Sequence, residues 1–372
     1  MSAPDETLLA ERLRARIKRE GAISFRDWMD AALYDEREGY YRRPGRSLWG
    51  RDGGDYRTSP ERTPLFAATF ARYFAALHTE LGAPTPWAIL EAGAGAGDFA
   101  RVALETLERE HPRVFQATCY YIDEASDEAR LRTRENLAAF TDRIEFCPND
   151  WRGLSFAAGV VFSNELLDAF PVYRVLMRGG RLRELCVALD EAGNFCWSEQ
   201  EPTTPRLVEH FARQGVALAE GQIAEVNLAA GEWIARAASV LQRGYVLTVD
   251  YGAEAGELYH PTQRRDGTLR GFREHQFVAD VLARPGEHDL TTTINWTQVG
   301  QAGEAAGLET ISLERQDEFL LRAGALDQLE RLTSRVDGEA ERLRLRLGAR
   351  EMILPGGMSG SFQVLVQKKR AV

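Results

Sequence analysis

Two acids three residues apart, Glu165 and Asp168, lie in the segment Ser163-Asn164-Glu165-Leu166-Leu167-Asp168-Ala169-Phe170-Pro171-Val172. Paired carboxylates at a strand-to-helix turn can hold a cation such as a guanidinium and orient a nitrogen lone pair. The structural alternative is that Asn164 and Glu165 only cap the turn. Upstream, a second pattern reads Ile89-Leu90-Glu91-Ala92-Gly93-Ala94-Gly95-Ala96-Gly97-Asp98-Phe99. An acid closes an apolar run, glycines follow at alternate positions, and Phe99, Val102, Ala103 and Leu107 recur at helical spacing. Glycines leave no Cβ between main chain and ligand, and a helix start offers free N–H groups. Three readings compete. Gly95-x-Gly97-x-x-Ala100 fits a dinucleotide fingerprint, but its ribose acid is due about 20 residues on. The candidate, Glu124, lies 27 residues past Gly97 (124 − 97). S-adenosylmethionine (SAM) instead carries an ammonium and a sulfonium and no pyrophosphate, so an acid at the strand end, Glu91, suits it. The third reading is a tight turn with no ligand.

The remaining cofactor candidates follow from the SAM reading. Glu124, in Ile122-Asp123-Glu124-Ala125-Ser126, is an acceptor-only group able to take both ribose hydroxyls, with Asp123 as the alternative. Either acid could instead serve a helix N-terminus. Asp150 and Trp151 stand where an adenine amine would meet a carboxylate and a stacking ring, although Asp150 also reads as an ordinary loop acid. Asn164 closes the strand before Glu165 and is assigned to the cofactor. A glycine-rich loop over 39–61 is expected to cover the cofactor, with Thr58 and Pro60 among its contacts.

Such residues need a scaffold that gathers strand ends. Strand-like runs at 88–92, 117–123, 143–147, 159–163 and 244–250 alternate with helical patterns at 98–110 and 127–140. This is the pattern of an α/β, doubly wound, mostly parallel sheet, in which ligands bind beyond the carboxyl ends of the strands. Before it come helices at 8–20 and 24–34, with Ser24 as N-cap, then the loop 39–61 and a helix opening near 58 and running to 81. Residues 172–197 read as two or three short strands, a β insertion after the fourth strand. A helix over 221–241 returns to the sheet, and 252–300 reads as a polar loop region that completes the acceptor pocket. Strands at 308–314 and 362–367, with helices at 317–332 and 338–347 between them, close the chain. The expected domains are 1–86, 87–171, 172–203 and 204–372.

Composition narrows the class. The chain has 372 residues and a formal net charge of −10. That acidic balance disfavours non-specific nucleic-acid binding. The fourth-strand segment also lacks the Asn/Asp-Pro-Pro-Tyr/Phe of amino-methylating nucleic-acid enzymes. No stretch approaches the ~18 apolar residues of a membrane span. The charged first 21 residues resemble neither a signal peptide nor an acid-poor transit peptide. Cys119, Cys147, Cys186 and Cys196 lack metal-ligand spacing, so no metal is expected and a reducing, cytoplasmic setting is.

The strand, acid and Gly-x-Gly-x-Gly order resembles class I methyltransferases. A larger set of motifs is similar to the MidA-like proteins, a family that includes mitochondrial complex I assembly methyltransferases. Its marks are Tyr34 with Gly39-Tyr40-Tyr41, the run Gly53-Gly54-Asp55-Tyr56-Arg57-Thr58-Ser59-Pro60-Glu61, Glu91 to Gly97, Asn164 to Val172, and Asp250-Tyr251-Gly252. Further on are Gly267-Thr268-Leu269-Arg270, Pro285-Gly286-Glu287-His288-Asp289-Leu290-Thr291, and Met358 through Phe362. The resemblance covers nearly the whole chain and implies a SAM-dependent methyltransferase. For the mitochondrial members it implies dimethylation of an arginine on a complex I subunit. One departure stands out: where the family continues Asp-Leu-Thr with Ala-His-Val-Asp, this chain has Thr292-Thr293-Ile294-Asn295. A base and a charge would be lost if that His and Asp serve the acceptor, with His275 and His288 as nearby substitutes. The expected activity is methylation of a protein arginine. A small-molecule methyltransferase and a non-catalytic SAM-binding assembly factor are the alternatives.

Overall fold

The computed structural model describes residues 7–43, 63–273, 276–354 and 358–371. Thr58 and Pro60 lie outside the described residues, as do most of the loop 39–61 and His275. The chain forms two compact units.

The first unit holds residues 63–166, Ile234–Tyr251 and 302–371. Its sheet has strands β1 (Trp87–Ala92), β2 (Thr118–Asp123), β3 (Ile144–Phe146), β4 (Gly159–Asn164), β5 (Gly244–Ala253), β6 (Leu308–Arg315) and β7 (Phe362–Lys369). Their order is β3-β2-β1-β4-β5-β7-β6. The first five run parallel, and β7 is antiparallel to both β5 and β6. Every residue of β1 is buried, as befits a central strand covered on both faces, which reads as a continuous apolar run. The helix Pro64–Glu80 begins with a Thr63 side-chain cap and proline in its first turn. It lays Phe66, Phe70 and Phe74 against Phe99 and Phe162. Phe99 stacks on Phe162 with ring centroids 4.4 Å apart. Aromatic packing thus seats the helix Asp98–Glu110 on β4 and fixes the glycine turn that precedes it.

The second unit holds residues 7–43, Leu167–Trp233 and Gly252–Gln301. In it the strands Ile23–Ser24, Arg181–Leu189, Tyr173–Arg178 and Ile223–Val226 lie side by side, with Phe195–Gln200 also paired to Arg181–Leu189. A smaller antiparallel sheet joins Gln276–Phe277, Arg270–Arg273 and Asp289–Thr291. Ser24 caps its helix, its side chain accepting from the Asp27 N–H.

Several expected elements differ. The helix expected over 221–241 starts at Leu228, because Ile223–Val226 pairs antiparallel with Tyr173–Arg178. The β insertion therefore gains a strand from beyond 203. The region 252–300 is not mere loop: it contains the helix Ala255–Leu258, the smaller sheet, and Ile294–Asn295 paired parallel to Gly252–Ala253 before the helix Trp296–Ala305. Gly324, at φ 94°, splits the helix expected over 317–332 into Gln316–Arg322 and Ala325–Ser334. The helix expected to end at 347 reaches Ile353. No described helix is long and apolar enough to cross a membrane, and no group of three or more His, Cys, Asp or Glu among the described residues could hold a metal ion.

Candidate functional site

The glycine loop is a left-handed turn. Gly93, Gly95 and Gly97 have φ of 72°, 54° and 82°, values that L side chains rarely adopt. The N–H groups of Gly93 and Ala94 donate to the Asp123 carbonyl (2.8 and 3.4 Å) and that of Gly95 to Glu124 Oε2 (2.8 Å). A Cβ on Gly97 would stand 2.9 Å from Thr133 Cγ2. The loop is thus tied to the end of β2 before any ligand is considered.

Glu91 is 5% exposed at the end of β1. Burial pushes its carboxyl up to about 8, against the Tyr120 hydroxyl, which donates to Oε2 at 2.7 Å and pulls the other way. Glu124 is also buried, and burial raises it to about 7 despite N–H bonds from Ser126 and Gly95. Glu124 Oε2 takes the Gly95 N–H, Oε1 takes the Ser126 N–H, and Ala125 supplies a third, which leaves about one of the carboxylate's roughly four lone-pair sites for a ribose hydroxyl. Asp123, the alternative, is occupied differently. Burial raises it, while a hydrogen bond from Trp151 and the nearby Arg236 and Arg130 oppose that. Trp151 is therefore no open stacking platform: it is 3% exposed, bonded to Asp123 and approached by the Arg236 guanidinium at 5.8 Å from the ring centroid. Asp150 is exposed, and both residues have positive φ (62° and 54°).

At the end of β4, Glu165 has φ 51°. Its N–H donates to the Val249 carbonyl of β5 (2.9 Å), the last ladder bond of the strand. Asn164 Nδ2 donates to Glu165 Oε1 (3.2 Å), and Asn164 Oδ1 is buried without a hydrogen-bond partner. A non-glycine residue in the left-handed region costs on the order of 1–3 kcal/mol and persists where surroundings enforce it. Here the ladder bond and the Asn164 amide do so, and they aim a half-buried carboxylate.

Asp168 belongs to the second unit, in the short turn Leu167–Ala169. Three successive carbonyls of that turn are each held from a different element. Leu167 O accepts from Asn227 Nδ2 (2.9 Å), Asp168 O from the Thr292 N–H (3.0 Å), and Ala169 O from the Tyr34 hydroxyl (3.0 Å). Tyr34 stacks on Tyr41, whose hydroxyl donates to Asp289 Oδ1 at 2.6 Å. The altered positions also find places. Thr293 Oγ1 meets Arg270 Nη2 at 3.5 Å. Asn295 is 5% exposed, and its Oδ1 accepts from the Gln298 N–H (3.0 Å) as the cap of the helix Trp296–Ala305. His288 is buried, its Nε2 lies 3.1 Å from the Val281 carbonyl, and burial lowers its pKa. Sequence reading missed Tyr120, Asn227 and Tyr34 as supports. Only Tyr34 carried a signal, as a motif residue.

A cationic cofactor fits this donor set. Around the glycine loop the buried groups are acceptors: Glu91, Glu124 and the unpartnered Asn164 Oδ1. A pyrophosphate would meet two buried carboxylates and Asp98 in the first helical turn, against the usual preference of helix N-termini for phosphate. SAM would be held by Glu91, Glu124, Asn164 and the backbone of Gly93–Gly97, and it supplies an electrophilic methyl on sulfur.

The comparisons agree. Residues 69–313 match the family described as "Putative S-adenosyl-L-methionine-dependent methyltransferase". A COG1565 superfamily structure from Burkholderia thailandensis, bound to S-adenosyl-homocysteine, superposes with a TM-score of 0.86 at 31% identity, covering 98% of this chain and 92% of that one. Relatives named protein arginine methyltransferase NDUFAF7 are more distant. The Drosophila melanogaster homolog is 24% identical, covering 96% of this chain and 84% of its own. The Homo sapiens protein is 23% identical, covering 96% and 82%. The sheet order, the acceptor-lined glycine turn and these matches place the chain in the SAM-dependent methyltransferase family, with a class I fold.

Proposed function

We propose that this methyltransferase modifies an arginine side chain of a protein, with Glu165 as the carboxylate that binds and orients the guanidinium. The observation that carries the reading is the strained, doubly anchored Glu165 at the end of β4. Strain at a strand end is a common mark of a functional group, and a fixed carboxylate pairs well with a planar guanidinium. Asp168, three residues on in sequence, is the second carboxylate of the reading. The names of the Drosophila and human relatives support an arginine acceptor. Asn295 is used as a helix cap, so the departure there does not count against it. Asp150 is assigned to the adenine side, with Trp151 behind it as a support for Asp123 rather than a stacking ring, and a cytoplasmic location goes with the reading.

The protein's residues bind the acceptor and hold its nitrogen lone pair in line with the methyl. A carboxylate at Glu165 also receives or stabilises the proton released. The test is methyl transfer from tritiated SAM to a pool of arginine-containing peptides and to lysate proteins, followed by amino-acid analysis. Methylarginine is expected. Glu165→Gln is expected to lower kcat by roughly 100-fold or more while leaving SAM affinity unchanged. Label on another side chain, or full activity in that variant, overturns the reading.

A further inference from the structure

Asn295 sits at the centre of a buried polar network in the second unit. Its Nδ2 donates to Gln214 Oε1 (2.7 Å) and to the Tyr259 hydroxyl (3.3 Å). Tyr259 gives its one hydroxyl hydrogen to the Glu225 carbonyl (3.2 Å), so its 2.8 Å contact with His210 Nε2 has the imidazole as donor. Gln214 Nε2 lies 3.3 Å from both ring nitrogens, and Nδ1, the one left without a hydrogen, is then its acceptor. The set closes with every group neutral, and the amide of Asn295 supplies two of its donors. Burial lowers the His210 pKa to about 4, in keeping with a neutral ring.

On its other side, Asn295 leads toward the acceptor turn. Its Oδ1 accepts from the Gln298 N–H (3.0 Å), and Gln298 Nε2 donates to the Asn227 carbonyl. Asn227 in turn caps the helix Leu228–Ser239 through the Ala230 N–H (2.9 Å) and donates to Leu167 O. Each link is a side chain bonded to backbone, so a shift at one end moves main chain at the other.

We infer that Asn295 is a positioning residue for methyl transfer, acting through Gln298 and Asn227 on the Leu167–Ala169 turn that carries Asp168. An aspartate at 295 would keep the helix cap but remove both N–H donors. Its carboxylate would face Gln214 Oε1 and Tyr259, forcing the Gln214 amide to turn over and His210 to donate from both nitrogens, as an imidazolium. The groups facing His210 are the Tyr259 hydroxyl and ring, the Gln214 amide and the Phe211 ring. The Glu225 carboxylate is engaged by Arg174 (3.2 Å) and Thr268. Glu209 and Arg213, on the helix Arg206–Arg213 that carries His210, pair with each other at the surface.

The test compares the full-length protein with Asn295→Asp and Asn227→Ala. In Asn295→Asp, the His210 imidazole, followed by NMR, is expected to titrate about two pH units higher than in the wild type, a shift of the size a nearby carboxylate produces. Amide exchange across residues 166–172, read by mass spectrometry without ligand, is expected to quicken about tenfold in both variants. With tritiated SAM and the arginine peptide pool, kcat of Asn295→Asp is expected to fall about tenfold and to follow the new imidazole titration, with the KM for SAM unchanged. Unchanged exchange at 166–172 overturns the inference, as does a lowered Tm with kcat and its pH profile unaltered. The kinetic arm rests on the arginine reading. If the wild type methylates no arginine, that reading fails alone, and the exchange measurement still decides the role of Asn295.

Discussion

The end of β1–β2 and the turn Leu167–Ala169 are built on opposite plans. Around Glu91 and Glu124 the backbone is fixed by sheet register and by glycines with positive φ, and the chemistry comes from buried carboxylates raised to about 8 and 7. Around Asp168 no strand ladder among the described residues fixes the backbone. Three separate side-chain or loop donors hold three consecutive carbonyls instead. The first plan makes a rigid seat of buried carboxyls that ionise against a bound cation. The second makes a turn whose geometry depends on distant residues and so can be retuned without touching the sheet. A cofactor common to a whole family suits the first plan, and an acceptor that varies suits the second.

If the two regions divide the work in this way, substitutions in them should separate kinetically. The largest effect is expected from Glu124→Gln, which leaves the Gly95 or Ser126 N–H without an acceptor and weakens the ribose site. SAM affinity by calorimetry should fall by roughly 10- to 100-fold, given about 1–3 kcal/mol per unsatisfied buried group, with kcat at saturating SAM little changed. A fall in kcat at saturation would break the division.

A middling effect is expected from Glu91→Gln, and it is a pH effect. The folded pKa of Glu91, about 8, lies above its ordinary value of 4.5. The folded state therefore holds the proton more tightly, and stability is full below about pH 4.5 and declines as pH rises toward 8. Ligand-free Tm should fall over that window in the wild type and fall less in Glu91→Gln. A cation bound nearby favours the ionised form, so SAM should bind the wild type more tightly at about pH 8.5 than at about pH 6.5, and Glu91→Gln should lose that gain. Equal pH slopes in both proteins would remove Glu91 from the cofactor's side. The smallest effect is expected from Tyr34→Phe. Losing one bond to the Ala169 carbonyl should cost about 1 kcal/mol by chemical denaturation and leave SAM affinity unaltered. A change in SAM affinity would show that the two plans are not independent.

Legibility followed the same divide. The strand, acid, glycines and helix of residues 87–110 could be read because the signals are local: a continuous apolar run, glycines where φ is positive, helical spacing after them. The pairing of Ile223–Val226 with Tyr173–Arg178 could not be read, because its partner lies about fifty residues away and its own sequence, Ile-Ala-Glu-Val, continues into a true helix. Trp151 was legible as an aromatic at the right strand end, but not as a ring whose indole is bonded to Asp123. Asn295 read as a lost charge because a family pattern records residue types and not their hydrogen bonds. The structure shows a helix cap that either residue could make, and two N–H donations, to Gln214 Oε1 and the Tyr259 hydroxyl, that only the amide makes.

The backbone of Glu165 carries one more consequence, for directed evolution. A glycine at that position would occupy φ 51° without penalty. A library selected for heat resistance alone would therefore enrich the substitution Glu165→Gly, gaining about 1 kcal/mol while discarding the carboxylate. Positions where thermal selection and activity selection pull in opposite directions would thus outline the reaction centre, with no acceptor needed in the screen.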